Sequence, residues 1–315
     1  MSARLGFAPT PHVPVGVLGG TSVVGRFLIP RLVRRGHAVV ACSRTAQPSP
    51  AAPAAGAVWI RAGATLPAGL DRVPVWISLC PLWATVELLD WLDSAGVEQL
   101  AAVSSTSLVT KQRSGDPAER QLAARLARAE EAVFKWAERR GVIATVLRPT
   151  MIYDGRSDNN VSAIAAWVRR CGWFPLCGSA EGLRQPVHAD DVATACVTSA
   201  FHPEPRHIYT LSGSERLTFG DLVERTCCSH GLAPRTVRLP AWAWRLLFAT
   251  ARGLGLASAA SAAMGARMNE DLVFDHADAA ADLGFRPRPF VPDGDPMAAT
   301  PGHQPSCSAD RGLPR

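Results

Sequence analysis

Seven consecutive residues, Gly19-Gly20-Thr21-Ser22-Val23-Val24-Gly25, have the composition of a phosphate cradle. Glycines at this spacing let the backbone turn tightly and approach a pyrophosphate, whose charge then sits at the N-terminus of the following helix. About twenty residues further on, Ser43-Arg44 occupies the place where a dinucleotide site reads the ribose. An Asp or Glu there would bond a 2′-hydroxyl. A guanidinium beside a hydroxyl suits a 2′-phosphate instead, which favours NADP over NAD; the other reading is a solvated arginine at a strand end. A second cluster, Ser104-Ser105-Thr106, could set hydroxyls beside a ligand oxygen, although such clusters also mark turns.

These groups need elements to hold them. Val15, Val17 and Leu18 form a short apolar run into the glycine turn, and Phe27, Leu28, Leu32 and Val33 then recur at helical spacing until Gly36. Residues 38–41 read as the next strand, 57–60 as a third, 73–79 as a fourth and 100–104 as a fifth, with a helix over 84–95. Asp116-Pro117 opens a long helix that Gly141 closes, and 142–147 is a sixth strand. Strands alternating with helices predict an α/β fold with a doubly wound parallel sheet and right-handed crossovers. Ligands of such sheets bind beyond the carboxyl ends of the strands, where both clusters fall. After Arg148 the segments shorten into helices at 161–170, 190–201 and 218–228 and a strand at 208–211, which predicts a smaller lobe. Residues 1–12 read as a flexible arm, 47–55 as a Pro/Ala-rich loop, and 291–315 as a disordered tail. Trp242, Trp244, Leu246, Leu247 and Phe248, with Arg245 and Arg252 nearby, are read first as lobe core, the alternative being a membrane-surface or partner-binding helix.

The chain of 315 residues is 47% hydrophobic, enough for a full core, and its formal net charge of +6 is carried almost wholly by arginine, Lys111 and Lys135 being the two lysines. Without a long basic block no nucleic-acid partner is expected, and the mild positive balance suits anionic cofactors and nucleotides. The eight cysteines include no CxxC pair, so no metal site is expected, and reduced thiols suit a cytoplasmic protein. The stretch MSARLGFAPTPH lacks the apolar core of a signal peptide, and no charge-free run is long enough to span a bilayer, so no membrane contact is expected.

GGTSVVG resembles the GxTGxxG turn of extended and atypical short-chain dehydrogenase/reductases, the superfamily of nucleotide-sugar epimerases and dehydratases, with Ser22 in place of a second glycine. Four further blocks follow in that superfamily's order: VSSTS at 103–107, LRPTMIY at 147–153, RQPVHADDVATA at 184–195 and DLGF at 282–285. The resemblance spans residues 13 to about 290. It implies a Rossmann domain over 13–150 completed by strands from later segments, and a substrate lobe over 151–290. It also implies an NAD(P)(H) cofactor and a nucleotide-linked sugar or related small carbonyl or alcohol as substrate; a homodimer is one arrangement open to it. By the same resemblance Leu79 and Cys80 pack against the ribose and nicotinamide, Ser104 lies beside the cofactor, Ser105 faces substrate, and Thr106 matches the catalytic Ser/Thr. Tyr153 lines the substrate cleft, and Asn160, Arg184 and His188 match positions that touch the nucleotide or its phosphates; His188 could equally cap the helix at Asp190.

Members of the superfamily carry a tyrosine and, four residues on, a lysine on the helix after the fifth strand. The tyrosine transfers the proton, and the lysine lowers its pKa and holds the nicotinamide ribose. The tyrosines of this chain, Tyr153 and Tyr209, are not on that helix. Counting back from Arg148 by the usual spacing places Gln121 and Arg125 at the two positions. Glu131 and Lys135 have the right mutual spacing but lie ten residues further along, roughly 15 Å away at the rise of a helix. Gln121 cannot give up and recover a proton near neutral pH, whereas Arg125 could hold a ribose or a phosphate. Two functions stay open: an epimerase/dehydratase-like oxidoreductase with a degenerate pair, its remaining chemistry resting on Thr106 and Tyr153, or a non-catalytic NADP(H)-binding structural or sensing protein within an assembly.

Overall fold

A computed structural model describes residues 13–44, 56–233, 235–253 and 262–292. The expected arm at 1–12, the loop at 47–55 and the tail from residue 293 lie outside the described residues. β1 (Val15–Leu18) runs into the glycine turn, and α1 (Gly25–Arg34), β2 (Val39–Ser43) and β3 (Ala57–Arg61) follow. β4 (Val75–Ser78) leads into two short helices, α2 (Leu82–Val86) and α3 (Leu89–Ser94), where the sequence predicts one. The break is at Leu88, which leaves the helical region at φ −108° and ψ 3° as its side chain packs against the core.

β5 (Gln99–Val103) is followed by the single turn α4 (Ser107–Thr110) and by α5 (Pro117–Arg140). The limits of α5 are those its sequence predicts. The Asp116 carboxylate accepts the Ala118 N–H at 2.9 Å, Pro117 takes the first turn, and Gly141 ends the helix at φ 67°. β6 (Ile143–Pro149) comes next. The later elements are β7 (Ile152–Tyr153), α6 (Val161–Cys171), β8 (Phe174–Cys177), β9 (Leu183–Arg184), β10 (Val187–His188), α7 (Ala189–Ala200) and β11 (Ile208–Leu211). They continue through β12 (Leu217–Thr218), α8 (Phe219–Ser229), β13 (Thr236–Leu239), α9 (Ala241–Gly253), α10 (Ala262–Arg267) and α11 (Ala277–Asp282).

The chain divides into two units. Of the described residues, the second takes in those within Met151–Pro186 and Glu215–Val273 and those at 289–292. Its core gathers Val161, Ile164 and Val168 of α6 with Phe219, Leu222 and Val223 of α8, and with Trp244, Met268 and Phe290. Two small ribbons complete it, β9 with β12 antiparallel and β8 with β13 parallel. Here α9 divides the apolar patch at 242–248. Trp244 is in the core, whereas Trp242 is 70% and Leu246 60% exposed, so the core reading does not hold for those two. The side chains of Leu247 and Phe248 lie outside the described residues.

The first unit takes in the described residues from Val13 to Thr150, with Val187–Ser214 and Phe274–Arg288. It contains a seven-stranded sheet in the order β11-β6-β5-β4-β1-β2-β3, every neighbouring pair parallel. This is the doubly wound arrangement the alternating pattern predicts, and the order reverses between β1 and β4. Both strands are buried along their whole length. Their pairing sets Gly16 opposite Trp76, whose fully buried indole covers the glycine and donates its N–H to the Val73 carbonyl at 2.8 Å. A Cβ on Gly16 would sit 2.2 Å from the Trp76 ring. The core cannot absorb a methyl there without moving the indole off its hydrogen bond. Gly16→Ala is therefore expected to destabilise the protein by about 1–3 kcal/mol, the usual cost of overpacking a core. A lower urea midpoint at unchanged m value would show it.

Candidate functional site

The glycine turn lies at the end of β1, at the point where strand order reverses. Its backbone needs glycine for reasons internal to the fold. Gly19 has φ 72°, and a Cβ there would lie 2.7 Å from the Cys80 nitrogen; one on Gly25 would lie 2.2 Å from the Gly20 carbonyl oxygen. Ser22 departs from the expected glycine and uses its hydroxyl. It accepts the Gly25 N–H at 3.1 Å while its own N–H donates to the Gly19 carbonyl at 2.9 Å, closing the turn that starts α1. Thr21 is exposed, Val23 half-buried and Val24 buried. The first turn of α1 has no acidic residue and carries Arg26, so nothing there opposes an anion at its N-terminus. These features fit a dinucleotide pyrophosphate. Ser43 is buried at the end of β2, and Arg44 is exposed just beyond it.

A cleft of about 300 Å³ opens beyond the ends of β4 and β5. The exit of β4 contributes Leu79, Cys80 and Trp83, the end of β5 contributes Ser104 and Ser105, and α5 contributes Leu122 and Leu126. Four residues singled out in the sequence therefore come together: Leu79, Cys80, Ser104 and Ser105. Thr106 is buried, and its hydroxyl donates to the Pro149 carbonyl at 3.2 Å.

The helix contributes other residues than the count from Arg148 proposes. Gln121 and Arg125 are exposed and do not line the cleft, and the Arg125 guanidinium lies over the Trp83 ring, 4.1 Å from its centroid. The reason is helical phase: a shift of one residue turns a side chain by about 100°. The pair four residues apart that faces the cleft is Leu122 and Leu126.

Two groups beneath the cleft were not anticipated. Glu130, only 3% exposed, accepts the Ser104 hydroxyl at 2.6 Å and the Arg148 Nε–H at 3.0 Å, and a second, shorter contact joins Arg148 Nη2 to its other oxygen. The available signal was a carboxylate on the apolar stripe of α5, between Leu126 and Val133. Ser105 accepts the Ser107 N–H at 3.1 Å, and the Cys80 sulfur lies 3.2 Å from the Ser78 hydroxyl and 3.4 Å from that of Thr85.

The remaining candidates are committed to packing. Tyr153 is fully buried in the core of the second unit; its ring meets Phe290 edge-on at 4.9 Å and its oxygen accepts the Val291 N–H at 3.4 Å. It is a core residue, not the cleft-facing tyrosine its loop suggests. Tyr209 is buried likewise, its hydroxyl donating to Asp282 at 3.1 Å. Asn160 donates to the Ile152 carbonyl at 2.9 Å. Arg184, 4% exposed, donates to the carbonyls of Leu183 and Glu270, each at 2.8 Å, and to that of Arg267; burial depresses its pKa to about 10. His188 caps α7, its Nδ1 accepting the Asp190 N–H at 3.1 Å. Asp190 itself is held below the ordinary carboxylate range: burial raises its pKa, but the Arg288 and Arg31 guanidinium groups outweigh that.

Residues 82–211 match the model of the NAD dependent epimerase/dehydratase family. Over those residues the chain is similar to that family. It is 25% identical over 234 residues to an uncharacterised protein of Sinorhizobium fredii, a match covering 71% of this chain and 58% of that one, so it spans less than two thirds of that relative. In fold, the chain is similar to the UDP-glucuronic acid 4-epimerase of Bacillus cereus solved with NAD (13% identity, TM-score 0.66, covering 90% of this chain and 94% of that one). It is also similar to the UDP-glucose 4-epimerase of Thermus thermophilus solved with NAD (19% identity, TM-score 0.63, covering 90% and 96%). At these identities the likeness is one of fold.

Removing the Glu130 carboxylate would strand Arg148 and free Ser104. Glu130→Ala is expected to cost about 3 kcal/mol, the scale of breaking a buried ion pair by deleting one partner. Chemical denaturation checks this, and a change within error of zero would show that the network is not what holds α5 to the sheet.

Proposed function

We propose that this chain binds a nicotinamide dinucleotide, NADP(H) ahead of NAD(H), beside a nucleotide-linked sugar or related small carbonyl or alcohol, as a binding or sensing protein without Tyr-dependent dehydrogenase chemistry. The observation that carries the reading is the pair Leu122 and Leu126, apolar side chains where α5 lines the cleft beside Ser104 and Ser105. Support for the ligand class comes from structural relatives solved with NAD, one of them together with UDP-glucose.

The turn from Gly19 to Gly25 would hold the pyrophosphate, Ser43 and Arg44 a 2′-phosphate, and Leu79 and Cys80 the nicotinamide side. When bound, the nicotinamide supplies a hydride acceptor or donor. Hydride transfer to or from a carbonyl or alcohol also needs a group that moves a proton at the substrate oxygen. The hydroxyls on the lining, Ser104, Ser105 and Ser107, and that of Thr106 beneath it do not serve. The Ser104 proton goes to Glu130 and the Thr106 proton to the Pro149 carbonyl. Ser105 accepts from the Ser107 N–H, which leaves its own proton for a ligand oxygen, so Ser105 orients the ligand. A neutral hydroxyl does not cycle its proton near pH 7, and Leu122 and Leu126 have none to move. The Cys80 sulfur, on the lining, is within contact of the Ser78 and Thr85 hydroxyls.

Titration of intrinsic tryptophan fluorescence is expected to show NADPH binding more tightly than NADH. Arg44→Ala should weaken NADPH by about 1.5–3 kcal/mol, the scale of hydrogen bonds to a charged group, and NADH little. Equal affinities for the two would remove the role given to Arg44. In turnover assays with a panel of nucleotide sugars, the reduced-nicotinamide absorbance should stay constant with the native chain, and any activity should come with Leu122→Tyr/Leu126→Lys. Native turnover at ordinary rates, on the order of 10 s⁻¹, would mean that another proton carrier serves the cleft.

A further inference from the structure

We propose, building on the dinucleotide reading above, that Arg61 and Arg26 join Ser43 and Arg44 in holding a phosphate monoester on the adenosine ribose. β3 pairs with β2 in a register that sets Arg61 opposite Ser43, and the Ala62 N–H donates to the Ser43 carbonyl at 3.0 Å. Residues paired this way project from the same face of the sheet, and so does Trp59, two positions before Arg61. That face is the one α1 covers. A Cβ on Gly20 would lie 3.0 Å from Ile29 of α1 and 3.1 Å from Trp59, and one on Gly56, immediately before β3, would lie 2.6 Å from Val33 of α1. Positions 26, 29 and 33 fall on one side of a helix, so Arg26 continues the line of Val33 and Ile29 toward the carboxyl end of β3. Three arginines are thus brought to the corner where β2 and β3 end: Arg61 from β3, Arg44 just past β2 and Arg26 from the first turn of α1. Arg44 and Arg61 are exposed and take part in none of the ion pairs among the described residues.

Charge selects the ligand. Residues 1–70 contain arginine at 4, 26, 31, 34, 35, 44 and 61, and no Asp or Glu. β1, α1, β2 and β3 therefore offer no carboxylate to accept hydrogen bonds from ribose hydroxyls, which is how a doubly wound sheet reads an unphosphorylated ribose. A guanidinium has donors only and keeps its charge at any working pH. It suits the acceptor oxygens of a dianionic phosphate and binds them as a fork. Of the arginines on α1, Arg31 is taken up by Asp190 at 2.6 Å, which leaves Arg26 as the one that faces this corner from the first turn.

Isothermal titration calorimetry of the full chain with NADPH, NADH, 2′,5′-ADP and 5′-AMP tests this. Arg61→Ala is expected to weaken NADPH and 2′,5′-ADP about tenfold, the scale of a hydrogen bond to a charged group, and to leave NADH and 5′-AMP within about twofold. Arg61→Lys keeps the charge but not the fork, so it should fall between the native chain and Arg61→Ala. Arg26→Ala should also lower the ratio of NADPH to NADH affinity. Unchanged NADH binding by the Arg61 variants shows that they remain folded. A ratio that Arg61→Ala leaves as it is in the native chain overturns the proposal, and the NADP(H) reading stands if Arg44→Ala still lowers that ratio. NADH binding as tightly as NADPH to the native chain overturns both the proposal and the preference for NADP(H). If the native chain binds neither dinucleotide, the dinucleotide reading itself falls with them.

Discussion

A buried carboxylate sets the geometry on which the candidate site depends. Glu130 comes from α5, and its partners come from the end of β5, through Ser104, and from β6, through Arg148. A charge taken out of water needs compensation from every side, so the two oxygens cannot slide or rotate without losing a partner. The helix is thereby held at one rotation. In that rotation Leu122 and Leu126 both line the cleft, and Gln121 and Arg125 turn outward. A shift of one residue would bring a polar amide and a guanidinium to the cleft in place of two leucines.

That dependence explains what could be read in the sequence and what could not. Strand and helix alternation is a local property, and the sheet, the limits of α5 and the Thr218 cap of α8 follow from patterns within a few residues. Helix phase is not local. Counting back from Arg148 measures distance along a loop and a strand as well as a helix, and an error of one residue there is a rotation of about 100°. The tie that fixes the phase, Glu130 to Arg148, spans eighteen positions. Tyr153 shows the same limit. The family resemblance puts it on a loop lining a substrate cleft, but its burial depends on Phe290 and Val291, 137 and 138 positions away. The division of the apolar patch on α9 could be anticipated only as a pair of alternatives, because alternate tryptophans at 242 and 244 cannot both face one side of a helix.

The hydroxyls beside the cleft illustrate how hydrogen-bond direction decides function. Ser104, Ser105 and Thr106 look equivalent as a string, and the fold makes them different. One proton is given to a buried carboxylate and one to a backbone carbonyl, while Ser105 receives a backbone N–H and keeps its own proton. A cluster of three potential donors is in effect one donor and two acceptors. On the proposed reading that set orients a ligand oxygen and does not exchange a proton with it.

The glycine turn carries a different kind of information. Gly19 is required by its left-handed backbone and by Cys80, and Gly25 by the Gly20 carbonyl; these constraints are backbone against backbone and hold with or without a ligand. The acid and base groups of a dehydrogenase have no such structural duty, since an exposed tyrosine or lysine on a helix can become leucine at little cost to the fold and with a gain in apolar contact. A chain that stops catalysing therefore loses the proton carriers first and keeps the cradle, because the cradle is also how β1 turns into α1 and lies against the exit of β4. The glycine signature is thus first a constraint of the fold, and on the proposed reading the residues facing the cleft from α5 decide whether chemistry follows.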